Sequence, residues 1–480
     1  MSKKNIQPPE SAAFAYRMLW RWHFYAGLFV MPFLIVLAVT GTIYCFQPQV
    51  EPLLYPGLLR VTPGAERLPA QTLLERARAS APAGAVATTY TVNPNPAASA
   101  EFVFRLPSGK SESLYLDPYT GATLGSLSVE DRFMKQVRML HRALLAGKPG
   151  ELLMELAGCW TLVMIATGVA MWWPRWRASG LAAFRMGQAA GKRGWWKEVH
   201  LVLGAWLAVG ALFFVLSGLP WTASWGKQFK AVTTAANLGR PGDGGQHAQG
   251  GHAGHEGHAG HQEGHQSVAG NGATTLESLP LAEVPWAMGL TRVPQAAASG
   301  PATVSLDHVV ALMAERGAAN GCQIALPVTA AAPYSATCFP NDPQGELTLH
   351  VDPRSGEVIR DIRFQDYGPV AKGVSYGTSL HMGRYFGLAN QILCAAISLG
   401  LMALAVTGCV MWLRRRPAGS LAAPSYPAAL PPMRAWTIGV GLLGVIFPMM
   451  GVTLLAVWLI DRRLARLAGI PAGPSGNAAA

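Results

Sequence analysis

Charge is scarce in this chain of 480 residues. Asp, Glu, Lys and Arg together make up 13%, against 50% hydrophobic residues, a balance that excludes an ordinary soluble globular protein. Carboxylates are all but missing from the most apolar stretches, where Glu155 near one end is the exception, so a proton or ion path built on buried acids has no support. The six cysteines contain no CxxC, which removes the common thiol-redox motif. GVGLLG (Gly439, Gly441, Gly444) spells a dinucleotide fingerprint but lies inside an apolar stretch with no strand before it. Close helix packing through small residues explains it better, and no nucleotide or flavin site is recognisable. The net charge of +12 does not point to nucleic acid, because the basic residues gather beside the apolar segments.

Five of those segments reach the roughly 20 residues that a bilayer-spanning helix needs: 24–46, 152–173, 199–221, 387–413 and 435–460. The expected architecture is an α-helical polytopic membrane protein, in contact with lipid. The first segment is no cleaved signal, since its apolar run exceeds the usual 7–15 residues or so and no small-x-small site follows. Lysine and arginine fill the N-terminus (1–23) and the loop 174–198, and Arg414, Arg415 and Arg416 open the loop 414–434. By the positive-inside rule these three segments are cytoplasmic and the long connections lie outside. DRRLARL (461–467), which opens the tail 461–480, breaks the rule if the fifth segment is a simple span. Either it is not one, or the rule fails there.

The chain also repeats itself. His23 is followed by Gly27, Thr40 and Gly41; His200 is followed at the same offsets by Gly204, Ser217 and Gly218. His141 leads to Thr167, Gly168, Met171 and Trp172, and His381 leads to Thr407, Gly408, Met411 and Trp412 at the same four offsets. Such coincidence at fixed spacing marks a tandem duplication: a duplicated four-helix core with a fifth helix appended. The external pieces repeat too. LPAQTLLERARAS (68–80) and VSLDHVVALMAERG (304–317) each have helical apolar spacing, and alternating runs follow, ending in LYLDPYTGATLG and LHVDPRSGEVIR. Asp-Pro-x-[Ser/Thr]-Gly suits a tight turn, Pro presetting φ and Gly accepting a positive value. Two small α+β domains are therefore expected, at 50–135 and 300–375. Cys45, Cys159, Cys394 and Cys409 fall in or at the ends of apolar helices, where free cysteine is an ordinary small residue. Cys322 and Cys338 fall on strand-like runs in an oxidising compartment and are expected to form a disulfide.

His23 and His200 open the first and third helices; His141 and His381 precede the second and fourth. Singly, each is an ordinary interfacial polar residue. Together they put one histidine per half at each membrane face, which suits axial ligation of haem iron across a bundle. Arg21, Arg142, Lys197 and Arg384 each lie within three residues of one of them and are candidates for propionate contacts, although snorkelling explains them equally well. Eighteen helical residues rise about 27 Å, so ligands at opposite helix ends would place one haem near each face. His308 and His350, on an external helix and strand, are expected to be surface or structural.

RWHFYAGLFVMPFLIVLAVTG, the LHR and LHM segments, the TGxxMW helix ends and the paired DPxTG and DPxSG turns resemble the PepSY-associated transmembrane family, from about residue 15 to 460. The resemblance implies two haem b held by His23, His200, His141 and His381, and PepSY-like domains in the periplasm of a bacterium whose inner membrane holds the helices. It also implies electrons passing from a cytoplasmic donor or quinone to a ferric siderophore or other metal chelate.

The chain departs from the family in the run GHAGHEGHAGHQEGHQ. His252, His255, His258, His261 and His265, with His247 upstream, sit in a Gly- and Ala-rich insertion (237–275) that reads as disordered. Imidazoles there would bind Cu, Zn, Ni, Co or Fe ions, as an accessory to the haem ligands or incidentally. The contrasting reading of the whole protein is a non-enzymatic PepSY-type membrane protein that binds peptides, proteases or metal ions.

Overall fold

The computed structural model describes residues 10–187, 191–239, 274–296, 303–318, 321–329, 331–416 and 434–467. The histidine run lies outside them. In chain order the elements are α1 (Glu10–Cys45), α2 (Gln47–Leu54), α3 (Pro56–Leu59) and α4 (Ala70–Ser80), then β1 (Val86–Val92), β2 (Ala100–Arg105), β3 (Ser111–Leu116) and β4 (Thr123–Ser128). Next come α5 (Phe133–Ala143), α6 (Gly147–Ser179), α7 (Gly191–Gly218), α8 (Trp225–Ala235) and α9 (Leu306–Glu315). A second set of strands follows, β5 (Cys322–Ala325), β6 (Tyr334–Cys338), β7 (Leu347–Val351) and β8 (Val358–Arg363). The chain ends with α10 (Pro369–His381), α11 (Leu388–Arg415), α12 (Arg434–Ile446) and α13 (Pro448–Leu467).

Among the described residues four helical stretches are long and apolar enough to cross a bilayer: Ala15–Cys45, Gly147–Phe184, Gly194–Trp221 and Leu388–Arg415. The fifth segment, expected as one helix over 435–460, is not one. It breaks at Phe447–Pro448 into α12 and α13, because Pro448 has no N–H to continue the ladder. The bend is sharp enough that a Cβ on Gly451 would stand 2.4 Å from the Gly444 carbonyl oxygen. The 13 residues of α12 rise about 20 Å, short of a hydrocarbon core of about 30 Å. The glycines that imitate a nucleotide fingerprint thus end in a close backbone approach at this bend.

The described residues form two compact units. One takes in Met1–Ala38, Glu151–Trp225 and Ile397–Ala480, and the other Val39–Gly150 and Gly226–Ala396; the boundary falls inside α1 and α11. In the first unit Val30, Leu34, Ala211, Leu401 and Ala405 form a core. Small residues bring α7 and α11 together, since a Cβ on Gly210 would meet Ile397 at 3.0 Å and one on Gly400 would meet Leu207 at 2.7 Å. Glu155, 2% exposed, accepts hydrogen bonds from the backbone N–H groups of Ser224 and Trp225 at the start of α8. A carboxylate is tolerated there because a helix N-terminus offers unpaired donors and positive charge.

In the second unit all eight strands form one antiparallel sheet, ordered β4-β3-β2-β1-β5-β6-β7-β8. The two expected α+β pieces therefore share a sheet: β1 pairs with β5, closing what would be two exposed edges. α4 and α9 cover one face in a common core with Leu73, Leu74, Phe102, Val309, Met313 and Leu349. Their N-termini exchange caps, with Asp307 accepting from Ala70 and Gln71 and the Gln71 side chain accepting from Leu306. In the DPYTG and DPRSG turns Asp117 accepts from Tyr119, Asp352 accepts from Arg354, and Gly121 and Gly356 have φ of +71° and +73°. Cys322 and Cys338, cross-strand partners on β5 and β6, are disulfide-bonded.

Candidate metal centres

His23 on α1 and His200 on α7 face each other in the first unit, their ring centroids 6.3 Å apart and their planes at 85°. Two metal–imidazole bonds of about 2 Å each, plus the reach from each coordinating nitrogen to its ring centre, fill that separation. Nδ1 of His23 lies 3.0 Å from the Met164 carbonyl oxygen and 3.1 Å from Thr167 Oγ1. A carbonyl only accepts, so Nδ1 carries the proton and donates, and Nε2 keeps its lone pair for a metal. Thr167 can accept because its own hydroxyl proton goes to the Val163 carbonyl at 2.7 Å. His200 uses the same device with threonine alone: Nδ1 lies 2.9 Å from Thr407 Oγ1, whose own proton goes to the Leu404 carbonyl at 2.9 Å, so Nδ1 donates.

His141 and His381 stand in the C-terminal turns of α5 and α10 in the second unit, near enough for one imidazole to act electrostatically on the other. Thr40 Oγ1 lies 2.9 Å from His141 Nδ1. Desolvation by the surrounding protein, reinforced by the neighbouring imidazole and Arg142, pushes the pKa of His141 down to about 3. Burial alone takes His381 to about 4. Both rings are therefore neutral at pH 7, the form that ligates metals.

One local rule serves three of these histidines. Each packs against a Thr-Gly pair on a neighbouring helix, the threonine hydroxyl hydrogen-bonded to Nδ1 and the glycine leaving room for the ring. A Cβ on Gly168 would stand 3.2 Å from His23 Cε1, one on Gly41 3.4 Å from His141 Cε1, and one on Gly408 3.5 Å from His200 Cε1. Metal-bound histidines commonly have their second nitrogen held in this way. Among the described residues no group of three or more His, Cys, Asp or Glu side chains could hold a metal ion. The opposed imidazoles of His23 and His200 do not make the four-ligand set of structural zinc. They fit an iron whose remaining positions are filled by a macrocycle.

The family model for the PepSY-associated TM region matches residues 20–415. The chain belongs to this family. No curated protein matches it. In this PepSY-associated TM protein the cations near the histidines have varied surroundings. The Arg21 guanidinium stands 5.2 Å above the Tyr25 ring, and Lys197 and Arg142 are exposed. Arg384 makes a forked ion pair with Glu283, 3.0 Å on each arm. Burial disfavours the Glu283 charge, but Arg384 outweighs it and holds the carboxyl below its usual range. His350, 1% exposed, lies 2.9 Å from Ser335 Oγ, and His308 bonds to the Gly356 carbonyl; both are structural.

Sequence reasoning took Thr40, Thr167 and Thr407 as landmarks of repetition only. Their constant placement just before a glycine was the available signal for a role. Glu283 gave no signal, because its partner is remote in sequence.

Proposed function

We propose that this protein is a di-haem b transmembrane oxidoreductase of the bacterial inner membrane. In this reading it passes electrons to a periplasmic ferric chelate, such as a siderophore, or to another metal ion, which leaves reduced. The observation that carries the reading is the perpendicular His23–His200 pair, with both Nδ1 atoms committed to threonine oxygens, that of His23 to a carbonyl as well, and both Nε2 atoms left to a metal. His141 and His381, kept neutral by their surroundings, would form the second centre, and the duplicated helix pattern would put one centre near each membrane face. Bound at these sites, haem b supplies one-electron chemistry. The chain's own part is to hold the His23 and His200 imidazoles in one tautomer and to exclude water from the rings.

Electrons would enter from a cytoplasmic donor or quinone, since the sequence carries no nucleotide site of its own. The bend at Phe447–Pro448 supports the orientation, because a segment that turns back would return the basic 461–467 stretch to the side of Arg414, Arg415 and Arg416. The histidine run 247–265 would at most gather metal for the reductase.

A reduced-minus-oxidised spectrum of the purified protein is expected to show a b-type signal near two haems per chain. Deleting 245–266 should leave both. Absence of the signal after haem-replete expression would leave the PepSY-type binding protein as the reading that survives.

A further inference from the structure

Cys45 and Cys394 are the closing residue of α1 and an early residue of α11, nearly 350 positions apart in the chain, and the fold of the second unit brings them together. Both are free thiols, 5% and 3% exposed. Each also addresses the end of α10: Cys45 Sγ lies 3.9 Å from the His381 carbonyl oxygen and Cys394 Sγ 3.2 Å from that of Leu380. The surroundings fix both backbones. Gln391 Nε2 donates to the Cys45 carbonyl at 2.9 Å, and Gln49 donates to Gln391 Oε1 at 2.9 Å. Gly383, with φ of +73°, threads the turn so tightly that a Cβ there would stand 3.4 Å from Cys45 Cβ. Asn390, 5% exposed, donates to Cys394 Sγ at 3.3 Å while its Oδ1 is buried without a hydrogen-bond partner.

Packing alone accounts poorly for this arrangement. At the same offsets from the paired histidines the other half of the chain has Thr222 and Met154, so the sulfur pair occurs once and is not a requirement of the helix fold. Both thiols converge on the carbonyls of successive residues, Leu380 and His381, and so lie against the backbone of a proposed haem ligand.

We infer that Cys45 and Cys394 are a dithiol–disulfide couple that exchanges two electrons with the haem centre of the second unit, an inference that rests on the di-haem reading above. On oxidation the two S–H bonds break, a Sγ–Sγ bond forms and two protons leave to water. The two electrons pass one at a time to ferric haem b held by His141 and His381, which the external ferric chelate reoxidises between the two transfers. In the opposite direction two ferrous equivalents and two protons open the disulfide. The couple stores an electron pair between a two-electron donor, such as a quinol, and one-electron reduction of a ferric chelate.

The test uses the full-length protein in detergent, in haem-loaded form and from haem-depleted cells. Each is treated with ferricyanide, which cannot enter the buried site, then denatured in excess N-ethylmaleimide and mapped by peptide mass. In the haem-loaded protein Cys45 and Cys394 should escape alkylation as one cross-linked peptide, while Cys159 and Cys409 are alkylated. In the haem-depleted protein the cross-link should form at least ten-fold more slowly. In Cys45→Ser, Cys394 should remain alkylatable. Full alkylation of both thiols in the haem-loaded protein, or equal rates with and without haem, overturns the inference. The visible spectrum of the same samples separates the failures: a b-type signal with reactive thiols sinks the couple alone, whereas no signal sinks the di-haem reading and the couple with it.

Discussion

His23 and His200 stand within long apolar helices, whereas His141 and His381 stand at the ends of short ones. The first pair is positioned by helix packing alone, with rings laid against Thr-Gly steps and the Met164 carbonyl as an extra acceptor for His23. The second pair hangs from the unit that holds the sheet. α5 starts at Arg132, which bridges Glu51 at 3.4 Å and Glu101 at 3.3 Å, and it stops because Leu144 and Leu145 take φ of +53° and +55°. α10 is tied to the start of β7 through Ser375, which donates to Glu346 at 3.1 Å. One centre thus depends on membrane helices and the other on a folded domain, so the two should fail under different insults.

The largest effect should come from the ligands themselves. His200→Ala is expected to remove one of two b-type signals and leave the other, and His381→Ala should remove the complementary one, both read by haem quantitation and redox titration. Loss of both signals from either variant would mean that the pairs are not independent centres. Next are the threonines. Thr40→Val keeps the shape but takes away the hydroxyl bonded to His141 Nδ1, and partners of this kind are typically worth about 10- to 100-fold in metal affinity. Thr167→Val should fall at the low end of that range, because the Met164 carbonyl still receives the His23 proton. Equal losses at both sites would show that the carbonyl contributes nothing.

The same contrast explains what was legible in the sequence. The spans, the four histidines and the Asp-Pro-x-[Ser/Thr]-Gly turns were readable because hydropathy, repetition and turn chemistry are local properties. The joining of the two external pieces was not, since β1 pairing with β5 is an edge-to-edge event that neither repeat encodes alone. The broken fifth segment was half visible: its basic end violated the charge rule, yet hydropathy is blind to what Pro448 does to the ladder. Thr167 was seen as a repeat but not as a partner of His23, 144 residues away. Cys45 and Cys394 each looked ordinary because nothing local records that they meet.

Removing the disulfide should sharpen the comparison further. Cys322 and Cys338 are 16 residues apart, and opening a loop of that size costs about 3 kcal/mol. Cys322→Ala/Cys338→Ala is therefore expected to lower the melting temperature of the sheet-bearing unit. On heating, the His141–His381 haem should be lost before the His23–His200 haem. Simultaneous loss would show that the units unfold together.

The smallest effect concerns Glu346, 2% exposed. Burial pushes its pKa from 4.5 up to about 7, against the hydrogen bond from Ser375. The unfolded chain releases this proton near pH 4.5 and the folded one only near 7, so between those values the folded state binds more protons. Stability must then fall as pH rises through that window and level off above it. The full difference is at most about 3 kcal/mol, at 1.36 kcal/mol per unit. Glu346→Gln cannot ionise and keeps an acceptor for Ser375, so it should match the parent below pH 4.5 and exceed it at pH 8. Because Ser375 lies on α10, the gain should appear as later thermal loss of the His141–His381 haem at pH 8, with the His23–His200 haem unmoved. A gain of the same size at pH 4 would mean that the substitution acts by packing and not by removing a buried charge.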